Sequence, residues 1–153
     1  MRPQGDRAKN FTALHYNDVD KLVTELGGST NIGALALLFT TLTASRSGPV
    51  RAATWSELDN DLKVWTVPAK KMKTGKEFVV PLSMPARDVL LRAQAHRTKA
   101  SDLVFPSPSK PTAMISENTM RKLLQAHFPG GTVHGMRSAF RTWASEIVAA
   151  ERE

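Results

Sequence analysis

The segment Ile32–Leu42, reading IGALALLFTTL, carries no charge and has no polar face. Ile32, Leu35, Leu37, Leu38, Phe39 and Leu42 point outward in nearly every direction when the stretch is wound as a helix. Such a helix persists in water only when other elements surround it, so it is expected at the centre of the core. It falls well short of the roughly 20 apolar residues that span a bilayer. Thr30-Asn31 supplies a helix start before it. At its end the run breaks into Thr43-Ala44-Ser45 just before Arg46, and Ser47-Gly48-Pro49 reads as a sharp turn that terminates it. A cation at the end of the most hydrophobic segment suits a simple C-terminal cap against the helix dipole. That is the first reading of this stretch alone, beside rigid, bidentate recognition of a phosphate.

The elements that must enclose this helix are legible around it. Val19, Leu22, Val23 and Leu26 share one helical face behind Asn17-Asp18, and Gly27-Gly28-Ser29 closes that helix. A short helix is expected at Val50–Thr54. The period then changes: Leu62–Val67 and Glu77–Leu82 read as the two strands of a hairpin. The connection between them carries Lys70, Lys71, Lys73 and Lys76 and turns at Thr74-Gly75. Helices follow at Met84–His96, with Pro85 in its first turn, at Ser116–Ala126, and from about His134 to the end. Residues 103–105 form an extended piece closed by a Pro- and Ser-rich loop. The pattern predicts a mainly α fold with a small antiparallel β-sheet. Residues 1–12, polar with Pro and Gly, read as a linker or flexible end. Residues 13–153 read as one domain, incomplete at its C-terminus, because the last helix reaches Glu153 with no stop signal.

Composition narrows the chemistry. Lys and Arg total 21 against 14 acidic residues, a net charge of +7, and such a field favours a polyanion, most often nucleic acid. There is no Cys, and His15, His96, His127 and His134 lack ligand spacing, so neither a disulfide framework nor a metal site is expected. The N-terminus has no apolar signal core, and no membrane association is expected.

Three segments could carry function. The first holds Arg46 with Arg51 following. The second is the lysine-rich connection, in which a lysine placed at a leaving oxygen would serve as a general acid. The third is TVHGMRSAFRTW, where His134 and Arg137 lie one helical turn apart with Arg141 a turn further. Thr132, or the glycines before it, would cap that helix, whose N–H groups favour an anion. A histidine there could equally be a cap or a core residue. Cations and one imidazole, without a carboxylate pair or a phosphate-cradling Gly loop, suit stabilisation of a charged phosphoryl transition state.

These motifs resemble the catalytic domain of the tyrosine recombinases of phages and genomic islands. TASRSGPVRAATWSELD is similar to the family run T-G-x-R-x-G-E-[VL]-x-x-L-x-W-x-[ED]-[IL]-D, MKTGKEFVVPLS to its hairpin lysine motif, and HGMRSAF to its H-G-[FM]-R-x-[ST]-[AF]. LVFPSP and SENTM are also typical of it. The resemblance implies the family's DNA breaking-and-rejoining fold and site-specific DNA recombination. In that reaction a tyrosine attacks a phosphodiester to give a 3′-phosphotyrosyl link, and a 5′-hydroxyl later reverses the step. It needs no cofactor, neither ATP nor metal. By this mapping Arg46 and Arg137 clamp the phosphate, Lys73 protonates the leaving oxygen and His134 assists proton transfer. Lys70, Lys71, Lys76, Arg51 and Arg141 would contact double-stranded DNA. The resemblance further implies a homotetramer of the full-length protein on DNA, with this segment alone a monomer, in the cytoplasm of a bacterium.

Two positions depart from the pattern. Pro49 stands where the family has an acid, and Ala44 where it has a glycine. The sole tyrosine, Tyr16, lies far from the position of the family nucleophile and reads as structural. The expectation is a catalytic segment that binds DNA without cleaving it. The alternative is a non-enzymatic DNA-binding remnant of a decayed integrase. An RNA-binding domain is disfavoured for want of an aromatic stacking platform.

Overall fold

The computed structural model describes residues 14–152, apart from the side chains of Tyr16, Ile147 and Val148. The expected linker over residues 1–12 lies outside the described residues. Six α-helices surround and include the apolar run: α1 (Tyr16–Leu26), α2 (Ile32–Leu42), α3 (Ser47–Arg51), α4 (Met84–Ala93), α5 (Glu117–His127) and α6 (Val133–Glu151). Strands β1 (Val64–Val67) and β2 (Phe78–Pro81) pair antiparallel, with Trp65 opposite Val80 and Val67 opposite Phe78. None of these helices is long and apolar enough to cross a membrane.

Helix α2 is the hub, packing against each of the other five helices. Every residue from Ile32 to Thr41 is buried. Its two buried hydroxyls remain satisfied within the helix: Thr40 Oγ1 donates to the Ala36 carbonyl at 2.7 Å and Thr41 Oγ1 to that of Leu37 at 2.9 Å. Asn31 Oδ1 caps the start, accepting from the Gly33 and Ala34 amides. Phe39 links helix to sheet, its ring centroid 5.3 Å from Trp65 and 5.7 Å from Phe105, all three side chains fully buried. Gly33 lets α5 approach closely, for a Cβ there would stand 2.8 Å from Thr119 Cγ2.

Helix α4 ends at Ala93 rather than His96 and β2 spans only Phe78–Pro81, and three further differences have a local cause. Helix α1 begins at Tyr16 because His15 caps it: the Asn17 amide donates to Nδ1, while Asp18 Oδ2 accepts from the His15 amide. Asp18 is therefore the acid of the first turn rather than the cap. Ser47-Gly48-Pro49 does not end a helix but opens α3, where proline has no intrahelical N–H to lose. The short helix thus lies at Ser47–Arg51 rather than Val50–Thr54. Leu62 adopts φ 54° and belongs to the turn before β1, not to the strand. Asp59 Oδ1 holds that turn, accepting from the Lys63 and Val64 amides at 2.7 and 2.8 Å. These bonds, that to Val64 foremost, hold the Asp59 carboxyl below its ordinary pKa.

If α2 is the hub, Phe39→Ala should cost about 3–5 kcal/mol. Urea unfolding should show this as a lower midpoint at unchanged slope. A loss below about 1 kcal/mol would mean that helix and sheet are stabilised independently.

Candidate functional site

Helix α2 delivers its C-terminus to a corner. Thr43 ends the helix, with Oγ1 donating back to the Phe39 carbonyl at 2.7 Å. Ala44 then turns the chain at φ 50°, in the left-handed region, and Arg46, extended, forms the N-cap position of α3. Arg46 is therefore not a cap on α2. Its exposed guanidinium has no hydrogen-bond or ion-pair partner among the described residues.

The third motif meets this corner from across the core. Thr132 Oγ1 accepts from the Gly135 amide at 2.9 Å and caps α6. His134 thus sits exposed in the first turn, and Arg137 lies one turn in and half-buried. Arg137 Nε donates to the Ala44 carbonyl at 2.5 Å, so the left-handed corner itself fixes the guanidinium. Burial first, then the charges of Arg141 and Arg46, pull the Arg137 guanidinium below its ordinary pKa. It remains a cation at neutral pH. Like charges held this close repel one another, and an anion placed between them relieves that repulsion.

A cleft of roughly 1210 Å³ opens beside these groups. Arg46, Lys73, His134, Arg137 and Arg141 all line it, drawn from the α2–α3 corner, the hairpin connection and α6. Lys73 is exposed and, among the described residues, has no partner. Lys71 also borders the cleft, but its Nζ is held by Glu57 Oε2 and the Ala52 carbonyl, each at 2.7 Å. Lys70, Lys76 and Arg51 do not line it. Lys70 and Lys76 are exposed, whereas Arg51 is half-buried and donates Nε to the Ile115 carbonyl at 2.8 Å, joining α3 to the approach of α5.

Helix α5, which opens on the SENTM stretch, supplies a further wall. Glu117, Asn118 and Arg121 line the cleft, presented by the Ser116 cap, whose Oγ accepts from the Asn118 amide. Their one-turn spacing at a capped helix start was the available signal. Glu117 is the only acid among the lining residues, and its Oε1 accepts from Ser47 Oγ at 3.4 Å. No group of three or more His, Cys, Asp or Glu side chains is placed to hold a metal ion among the described residues.

Fold and cleft together define a mainly helical domain with a cleft lined by cations from three separate stretches of the chain. The profile of the phage integrase family matches residues 7–149, and the chain belongs to that family. It is 34% identical to the integrase of Enterobacteria phage P4 over 134 residues, which cover 78% of this chain and 30% of that protein. It is 31% identical over 107 residues to the prophage integrase IntA of Escherichia coli K12, covering 69% of this chain and 26% of that protein. The chain thus spans about a third or less of the length of these two relatives. The fold is shared with solved recombinases. XerA recombinase superposes with a TM-score of 0.70 at 15% identity, over 94% of this chain and 51% of that one. The Tn1549 transposon integrase, in complex with circular intermediate DNA, gives 0.66 at 13% identity, over 89% and 53%. The expected fold, mainly helical with a small antiparallel sheet, is the one observed.

Alanine at φ 50° carries a steric cost that glycine lacks. Ala44→Gly should stabilise the chain by about 0.5–1 kcal/mol, less a small loss from the freer unfolded state. Ala44→Val should destabilise it. Thermal unfolding of both variants checks the pair, and equal melting temperatures would contradict the strained corner.

Proposed function

We propose that this chain forms the phosphate-binding part of the catalytic domain of a site-specific recombinase acting on double-stranded DNA. The observation that carries the reading is the convergence of Arg46, Lys73, His134 and Arg137 on one cleft from separate stretches of the chain. Two guanidiniums suit the non-bridging oxygens of a phosphodiester. They stabilise the extra negative charge of its pentacovalent transition state, and because they are already in place little reorganisation is required.

The reaction divides among the remaining groups. A tyrosine hydroxyl attacks phosphorus, the bond to the 5′ oxygen breaks, and a 3′-phosphotyrosyl ester conserves its energy. Lys73, without a partner among the described residues, donates the proton that the departing 5′ oxygen takes up. His134 assists transfer of the tyrosine proton and, in the reverse step, its return. The sole tyrosine of the sequence, Tyr16, does not stand at the family position of the nucleophile, and on this reading the chain alone binds DNA without cleaving it. A DNA partner is supported by the solved Tn1549 transposon integrase, which shares this fold and is in complex with circular intermediate DNA, and recombination between two duplexes calls for a multimer, a homotetramer on the family precedent.

A non-enzymatic remnant would keep the basic surface without needing these four residues to converge on one cleft. Pro49 in the usual place of an acid favours that reading. The fixed Arg137 guanidinium and the free Lys73 amine favour the enzyme.

Binding to a short duplex should weaken steeply with salt, and Arg46→Ala and Arg137→Ala should each lower the slope of log affinity against log salt by about 1. Fluorescence anisotropy at a series of salt concentrations measures this. Affinity that does not depend on salt, or no binding at any concentration, would overturn the reading of this face as a phosphate surface.

A further inference from the structure

The Lys71 side chain borders the cleft, but its ammonium is taken up by partners within the protein. Its ammonium lies 2.7 Å from Glu57 Oε2 and 2.7 Å from the Ala52 carbonyl. The Glu57 side chain is only 5% exposed and that of Lys71 22%, so the pair is largely withdrawn from solvent. The second Glu57 oxygen is also engaged, 3.4 Å from both Trp65 Nε1 and the Thr54 amide. A lysine with two of its three donors satisfied by a carboxylate and a carbonyl has little charge left for a phosphate.

What the pair joins is more informative. Ala52 follows α3, whose N-cap is Arg46. Lys71 ends the single tight turn at Ala69–Lys71, and the next residue, Met72, packs on the hydrophobic core. Beyond Lys73 the segment is closed by the Gly75 amide, which donates to the Met72 carbonyl at 3.0 Å, with Gly75 at φ 68°. Lys73 therefore leaves a backbone fixed on both sides, while its own side chain is exposed. A long, flexible side chain can meet a reacting atom reproducibly only if its Cα is held.

We infer that the Lys71–Glu57 ion pair is a positioning device for Lys73, tying the hairpin connection to the segment that begins at Arg46. The phosphate-facing amine and the phosphate-facing guanidinium are thereby held in one frame. Lys71 is a positioning residue that acts through Lys73 rather than a contact to DNA. The inference rests on the reading of Lys73 as a phosphate contact.

Duplex affinity at several salt concentrations for Lys73→Ala, Lys71→Met, their double variant and Glu57→Gln separates the alternatives. Lys73→Ala should weaken binding by about five- to tenfold and lower the salt slope by about 1. Lys71→Met and Glu57→Gln should each reproduce part of that loss, Lys71→Arg should restore it, and the double variant should bind like Lys73→Ala to within about twofold. A double variant whose loss is the product of the two single losses would overturn the inference, since Lys71 would then touch phosphate independently. Tighter binding by Glu57→Gln would overturn it too, by showing that the carboxylate merely masks a DNA-binding lysine. An inert Lys73→Ala would instead remove the reading of Lys73 itself, and the inference with it. If Lys71→Met does not fold, Glu57→Gln alone decides through hydrogen exchange. The Gly75 amide should exchange at least tenfold faster while the α2 amides keep their protection. An unchanged Gly75 rate would show that the pair does not hold the loop.

Discussion

Burial of α2 is the constraint from which the rest of the structure follows. A helix with no polar face cannot rest on one neighbour, and here five helices share the task. The sheet joins them through the contact of Phe39 with Trp65, and Phe105 adds a third ring to that cluster. The elements that bear the cleft, α3, α5, α6 and the hairpin, are held by their need to cover this helix or its aromatic extension. The site stands where the covered helix ends, because there the chain must leave the core and the surrounding elements part.

That origin explains how a set of like charges can be maintained. Cations brought this close repel one another, and only a rigid framework resists their separation. Arg137 is held by the carbonyl of a strained left-handed residue, Arg51 by a carbonyl near α5, and Lys71 by a buried carboxylate. Arg51 and Lys71 so tied belong to the frame, Arg137 is tied yet lines the cleft, and Arg46 and Lys73 line it without partners among the described residues. Stability and function are divided among residues of the same type, and their sequence neighbours do not reveal the division.

The same division marks how far the sequence could be read. Helix α2 was evident because apolarity all round has one physical solution. Arg46, Lys73, His134 and Arg137 stood out because their motifs bring a cation or an imidazole beside a turn or helix start, and one cleft does receive all four. Ser47-Gly48-Pro49 was misread because glycine and proline punctuate both the end of one helix and the start of the next. Only the left-handed Ala44 decides between these, and no residue type announces it. The start of α1 was missed because histidine is an uncommon cap. The inward turn of Lys71 and Arg51 depends on Glu57 and on the Ile115 carbonyl, both distant in sequence, and the α5 wall of Glu117 and Arg121 depends on tertiary packing in the same way.

Arg46 and Arg137 are proposed to clamp one phosphate with His134 beside it. An NMR titration with inorganic phosphate can follow the Nε–H signals of both arginines and the His134 ring. Arg137 Nε–H, bonded to the Ala44 carbonyl, should give a slowly exchanging reporter at the centre of the cleft. The expected result is that all three signals shift together and fit one dissociation constant. Different constants for the three groups, or an unmoved Arg137, would contradict the account.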